Sequence, residues 1–171
     1  RARAHSGPGA DGNSGVSVMV EIVIQKVDPR AGPVRQLIEE LDAYQNMLYP
    51  AESNHQLDLE EMSRPEMRFD AVAVDGVILG CGGFWIHDDY AEVKRVYVHP
   101  KSRGLGLGRK IMAHIEAEML AEGRRLSRLE TGISQPEALG LYRALGYQDC
   151  PAFGDYPSDD PFSIFMEKRL G

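Results

Sequence analysis

Cysteine is scarce in this chain, and its two residues, Cys81 and Cys150, match neither a disulfide framework nor a metal-ligand spacing. They read as reduced thiols, which places the expected location in the cytoplasm. Apolar runs long enough to span a bilayer are missing, and the glycine-rich start lacks the apolar core of a secretory signal, so no membrane association is expected. Positive charge is short as well: 19 Lys and Arg against 26 Asp and Glu leave a net charge of −7. That balance argues against nucleic acid as a partner and is compatible with a cationic one such as an amine. The five histidines contain no His-x-x-x-His pair, so no metal is predicted, and His99 and His114 carry no assigned role.

What remains is ordinary globular material, 171 residues with 43% hydrophobic content, enough for one domain with a real core. Residues 1–18 are rich in Gly, Ser and Pro without periodicity and are expected to form a flexible N-terminal arm, leaving 19–171 as the folded domain. Within it, Val20 to Val27 reads as a strand, and Pro33 opens a helix through Leu48 with Leu37, Ile38, Leu41 and Tyr44 at helical spacing. A short helix fits Leu57 to Met62. Asp75-Gly76 between two apolar runs signals a hairpin. A turn at His87-Asp88-Asp89 leads into a strand ending at Val98, and Arg109 to Glu122 follows as a helix stopped by Gly123. A strand over Leu126 to Thr131, a helix over Pro136 to Leu145, and two closing strands complete a mixed α/β order.

The most informative stretch is Val96-Tyr97-Val98-His99-Pro100-Lys101-Ser102-Arg103-Gly104-Leu105-Gly106-Leu107-Gly108-Arg109. Alternating glycines let backbone N–H groups meet a ligand with no side chain between, and the following helix N-terminus adds its dipole, which together suit a pyrophosphate. A dinucleotide-binding fold would place the motif in its first βα turn, and a Walker loop would continue Gly-Lys-Ser/Thr; neither fits. One further hint lies upstream. Val93 is in odd phase while Val96 and Val98 are in even phase, as a one-residue bulge between them would produce.

Arg103-x-x-Gly106-x-Gly108, between a strand and an amphipathic helix, resembles the acetyl-CoA signature of the GNAT N-acetyltransferase superfamily. Gln135-Pro136-Glu137-Ala138-Leu139-Gly140-Leu141-Tyr142-Arg143-Ala144-Leu145-Gly146-Tyr147 resembles that family's Asn-x-x-Ala-x-x-x-Tyr-x-x-x-Gly-Phe segment, with Gln135 standing where asparagine is usual. The resemblance runs from about Val20 to Leu170. The stretches Leu48 to His55 and Phe153 to Pro157, with Asp160 to Ser163, are similar to a subgroup of small bacterial members. The resemblance implies a single-domain α/β GNAT fold, with a mixed, splayed central sheet of about seven strands flanked by helices.

It also implies direct transfer of an acetyl group from acetyl-CoA to an amine in a ternary complex. By resemblance, Val96, Tyr97 and Val98 hold the pantetheine on their backbone, and a backbone N–H of that splayed strand meets the oxyanion. Arg103, Gly104, Leu105, Gly106, Leu107, Gly108 and Arg109 wrap the pyrophosphate, and Gln135 and Tyr142 complete the coenzyme site. Glu92 takes the general-base position, the other reading being a strand-end carboxylate paired with Lys94 or Arg95. Tyr142 takes the general-acid position near the coenzyme sulfur. Tyr49, Glu52, Asn54, His55, Trp85, His87 and Asp88 are expected to line the acceptor pocket. A small-molecule amine is the expected acceptor, with a protein lysine or N-terminus, or a non-catalytic acyl-CoA sensor, as alternatives. A homodimer is compatible with the fold.

Overall fold

Asp75 and Gly76 both adopt positive φ, +48° and +82°, the two-residue turn that matches the twist of flanking antiparallel strands. The computed structural model to which this turn belongs describes residues 19–171; the expected N-terminal arm, residues 1–18, lies outside the described residues. The chain runs β1 (Ile22–Lys26), α1 (Gly32–Leu48), β2 (Met67–Val74), β3 (Val77–Ile86), β4 (Ala91–Val98), α2 (Leu107–Ala121), β5 (Leu126–Gly132), α3 (Pro136–Ala144), β6 (Gln148–Asp149) and β7 (Ser163–Arg169). Seven strands form one mixed sheet in the order β1-β2-β3-β4-β5-β7-β6. The expected architecture and strand number are therefore present.

Alternation along β2 explains the layering. Phe69 and Ala71 face α1, which buries Val34, Leu37 and Ile38 against them, while Val72 and Val74 join the cluster around Ile111, Met112, Ile115 and Met119 of α2. Each Val, Leu, Ile, Phe or Met side chain so removed from water contributes about 1.5–3 kcal/mol against the cost of ordering the chain. Among the described residues, no helix is long and apolar enough to cross a membrane.

Three local expectations change. The helix expected from Leu57 to Met62 is only a single 3-10 turn, Glu61–Ser63. Asp58 and Glu61 cap each other's backbone N–H, but Pro65 ends the turn before it can propagate. The helix expected from Arg109 starts at Leu107, because Gly106 caps it in the left-handed region at φ +70°. The first of the two expected closing strands is only Gln148–Asp149, and the chain from Cys150 to Phe162 is loop.

Two irregularities open the sheet. Cys81 pairs with Tyr97 but Gly83 pairs with Lys94, so β4 carries one extra residue, with Arg95 at φ +60°. This is the bulge that the valine phases imply. Upstream of it, β4 and β5 pair in parallel only at Ala91↔Ser127 and Glu92↔Arg128. The remainder of each strand diverges, leaving a V between Val93–Val98 and Leu129–Gly132.

Candidate active site

The V opens into two adjoining cavities. The larger, about 610 Å³, lies between the splayed half of β4, the glycine loop and the start of α3. Val96, Tyr97, Val98, Arg103, Gly104, Gly106, Leu107, Gly108, Arg109, Gln135 and Tyr142 all line it; of the residues expected at the coenzyme, Leu105 alone does not. Gly104 at φ +92° and Gly106 at φ +70° hold conformations costly for any L side chain, and a Cβ at either would meet no neighbour. The loop therefore presents bare backbone at a helix N-terminus, where Leu107 and Gly108 have no intrahelical acceptor. Gly108 lies in the first turn of α2 under Leu141, whose Cδ2 would stand 3.0 Å from an added Cβ and would have to give by a few tenths of an ångström. Arg103 reaches across to Glu137 of α3 at 2.6 Å, and both are largely exposed. The dimensions and the donors fit a nucleotide-bearing thioester.

The smaller cavity, about 80 Å³, continues past the same walls: Leu41, Val96, Gln135, Ala138 and Tyr142 line both. Tyr49, Asn54 and His55 also line it. Tyr49 spans its floor, donating to Gln135 Oε1 at 3.3 Å and accepting from Ser134 N–H at 3.1 Å. Its ring passes so close to Gly132 that a Cβ there would overlap the Tyr49 hydroxyl. His55 Nε2 lies 3.1 Å from Asp160 Oδ2, and Asp160 also accepts from Ser53 Oγ and Phe162 N–H. Burial alone would raise the Asp160 carboxyl, yet these bonds hold it below the usual range.

Glu52, Trp85, His87 and Asp88 do not reach either cavity, which corrects their expected place in the pocket. The β3–β4 hairpin stands at the closed end of the V, where β4 and β5 are still paired. Glu52 lies exposed in the turn Ala51–Ser53. Trp85 packs beside Met62 and Met67, and His87 stacks on Tyr90 at 4.4 Å.

Glu92 belongs to the same closed end. It is 4% exposed and lines neither cavity. Its oxygens are taken by Tyr156 Oη–H at 2.5 Å, Lys94 Nζ at 2.9 Å and His87 Nε2 at 3.2 Å. Desolvation pushes its pKa up, but His87, Lys94 and Tyr156 outweigh it and hold the carboxyl below the ordinary value. The pairing with Lys94 is present; Arg95 instead turns to Asp42 of α1 at 2.5 Å and donates to Leu57 C=O at 3.0 Å.

The carboxylate that does line the smaller cavity is Glu130 of β5. It accepts from Ser163 Oγ at 2.8 Å, and burial, opposed by Ser163, His55 and Lys94, raises its pKa. The alternation of β5, with Leu129 inward on the other face, could have drawn attention to it. Tyr142, buried at 7% exposure, lines both cavities, and desolvation followed by the Glu130 charge raises its hydroxyl well above ordinary tyrosine.

Residues 34–147 match the profile of the acetyltransferase (GNAT) family. This chain belongs to that family. As a GNAT N-acetyltransferase it is acyl-CoA-dependent. It is 44% identical over 154 residues to the "IAA acetyltransferase" of Azospirillum brasilense, covering 89% of this chain and 100% of that protein. It is 32% identical over 149 residues to the uncharacterized N-acetyltransferase YsnE of Bacillus subtilis, covering 85% and 98%. Among solved structures, one from Klebsiella pneumoniae, provisionally described as an acyl-CoA N-acyltransferase, superimposes with a TM-score of 0.74 at 36% identity, over 88% of this chain and 98% of that one. The PaiA N-acetyltransferase of Thermoplasma acidophilum, solved in complex with coenzyme A, shares the fold with a TM-score of 0.69 at 18% identity, over 88% and 99%.

Proposed function

We propose that this GNAT enzyme transfers an acetyl group from acetyl-CoA to a small-molecule amine by direct attack in a ternary complex. The observation that carries the reading is the junction of the two cavities at Val96 and Tyr142, which would bring a thioester in the larger into line with an acceptor in the smaller. The volume of the smaller cavity favours a compact acceptor over a protein segment, and the Azospirillum relative named for IAA supports the same class. The cytoplasm, with reduced Cys81 and Cys150, is the expected setting.

The thioester supplies an activated acetyl group with a thiolate leaving group. The chain's contribution is positional and electrostatic. Backbone N–H groups from Arg103 to Arg109 hold the pyrophosphate, and the edge of β4 at Val96 and Val98 holds the pantetheine. Tyr142, kept protonated by its burial, donates a hydrogen bond to the departing sulfur. The base role passes from Glu92 to Glu130, because a base must first reach the acceptor and Glu130 borders its cavity. Its raised pKa makes it a stronger proton acceptor than an ordinary glutamate. Glu92 anchors Tyr156 and His87 behind the pocket.

Two measurements test this. Thiol release from acetyl-CoA, screened across amino acids, polyamines, aminoglycosides and peptides, should single out a small amine; turnover confined to peptides would sink the small-molecule reading. Calorimetry should find coenzyme A binding at least tenfold weaker in Gly106→Val. Gly123→Val supplies the matched control, since Gly123 has φ +75° and open space but ends α2 away from the cavities. Equal loss in both variants would mean strain, not phosphate contact, is responsible.

A further inference from the structure

Eight residues along α2 from the glycine loop, or about 12 Å at the helical rise, a second cluster of groups converges outside both cavities. Asp70 of β2 is completely buried beneath the helix. Above it, His114 and Glu118 stand at i and i+4 on one face of α2. His114 Nε2 lies 3.4 Å from Asp70 Oδ1 and 3.5 Å from Glu118 Oε2, and the three donor atoms all fall within 4.8 Å of one another. Among the described residues, neither Asp70 oxygen, nor His114 Nε2, nor Glu118 Oε2 has a hydrogen-bond partner. Glu118 turns its other oxygen outward, toward Lys26 Nζ at 3.9 Å.

A carboxylate stripped of water and given no hydrogen-bond partner, as Asp70 is, is costly, and the buried Oε2 of the partly exposed Glu118 facing the same imidazole adds to that cost. Spacing identifies what would relieve them. A tetrahedral zinc ion with ligand bonds of about 2.0–2.1 Å holds neighbouring donors about 3.3 Å apart. The observed 3.4 and 3.5 Å are long for a hydrogen bond and right for sharing a cation. Calcium would ask for six or more oxygens, whereas one imidazole with two carboxylates suits zinc and its neighbours.

We propose that Asp70, His114 and Glu118 bind one divalent ion of the zinc type, with water at the fourth position, clamping α2 onto the sheet. The ion is structural, since its three ligands line neither cavity. Sequence spacing does not reveal the set, because Asp70 lies 44 positions before His114 and joins it only through the fold.

The test uses the full chain, stripped with a chelator and titrated with Zn²⁺ against a chromophoric competitor, together with thermal melts. One saturable Zn²⁺ per chain is expected, raising Tm by about 5–10 °C at a hundredfold excess over Kd. His114→Gln and Glu118→Gln should each weaken the affinity at least tenfold and abolish the shift, with kcat at 25 °C unchanged. Glu118 is partly exposed, so its variant reports even where an Asp70 substitution prevents folding. Parent protein that takes up no Zn²⁺, or variants that bind it as the parent does, would overturn the assignment. A melt insensitive to Zn²⁺ but responsive to pH would also overturn it, in favour of a proton shared among the three groups.

Discussion

Replacing Glu130 by Gln removes a charge and leaves the shape. Gln can still accept from Ser163 Oγ, so the 2.8 Å contact on β5 survives. The folded environment raises the Glu130 pKa, so its charged form is less at ease there than in the unfolded chain, and Glu130→Gln should melt at or slightly above the parent temperature near pH 7. Catalysis should respond in the opposite direction. Loss of a positioned base costs 10²–10⁴-fold, and since an amine acceptor is partly neutral without help we expect the low end, about 10²-fold in kcat/KM, or about 2.7 kcal/mol. The parent profile of kcat/KM against pH should carry an acid limb with a midpoint above the ordinary glutamate value, and that limb should vanish in the variant. Glu92→Gln is the counterpart. It strands Lys94 and weakens the bonds to His87 and Tyr156, so it should lower stability by about 1–3 kcal/mol yet keep the acid limb. Steady-state kinetics across pH with an identified acceptor decides the matter. An acid limb that survives Glu130→Gln and disappears in Glu92→Gln would return the base role to Glu92.

Tyr142→Phe retains the ring packed 5.9 Å from Tyr147 and deletes the hydroxyl, so coenzyme affinity by calorimetry should hold while kcat falls about 10²-fold. Gly132→Ala forces the Tyr49 ring away and breaks its bonds to Gln135 and Ser134; urea unfolding should register a loss of about 1–3 kcal/mol, and acceptor KM should rise. Glu92 is held below its unfolded pKa, so its contribution is present above that value and lost as pH falls through the folded one; the stability gap between parent and Glu92→Gln should be full at pH 7 and narrow as pH falls below the ordinary glutamate value in acid-unfolding curves.

The parts of this fold that local chemistry dictates were legible in advance. Asp75-Gly76 admits the hairpin turn that few other pairs allow, and the switch of phase between Val93 and Val96 can only be reconciled with a continuous strand by an extra residue. The glycine loop was legible because its conformation is set by the backbone freedom of Gly104 and Gly106, both at positive φ. The acceptor side was not, because its residues meet through long-range packing. Asp160 meets His55 across 105 positions, and Glu130 is distinguished from Glu92 only by which end of the V each strand position occupies. Sequence places both glutamates on strands; the divergence after Ala91↔Ser127 and Glu92↔Arg128 decides which one borders open space. The same geometry moves Trp85, His87 and Asp88 away from the pocket.

The common wall of the two cavities has a thermodynamic consequence. Leu41, Val96, Gln135, Ala138 and Tyr142 face both compartments, so a molecule lodged in one fixes side chains that the other must use. Any ordering cost met by the first arrival is not met again by the second. Occupancy of the two compartments is then linked, and linkage is reciprocal: the factor by which one ligand alters the affinity of its neighbour must equal the factor in the reverse direction. Tyr49, bonded to Gln135 of the shared wall and leaning on Gly132, is where that linkage has its shortest lever.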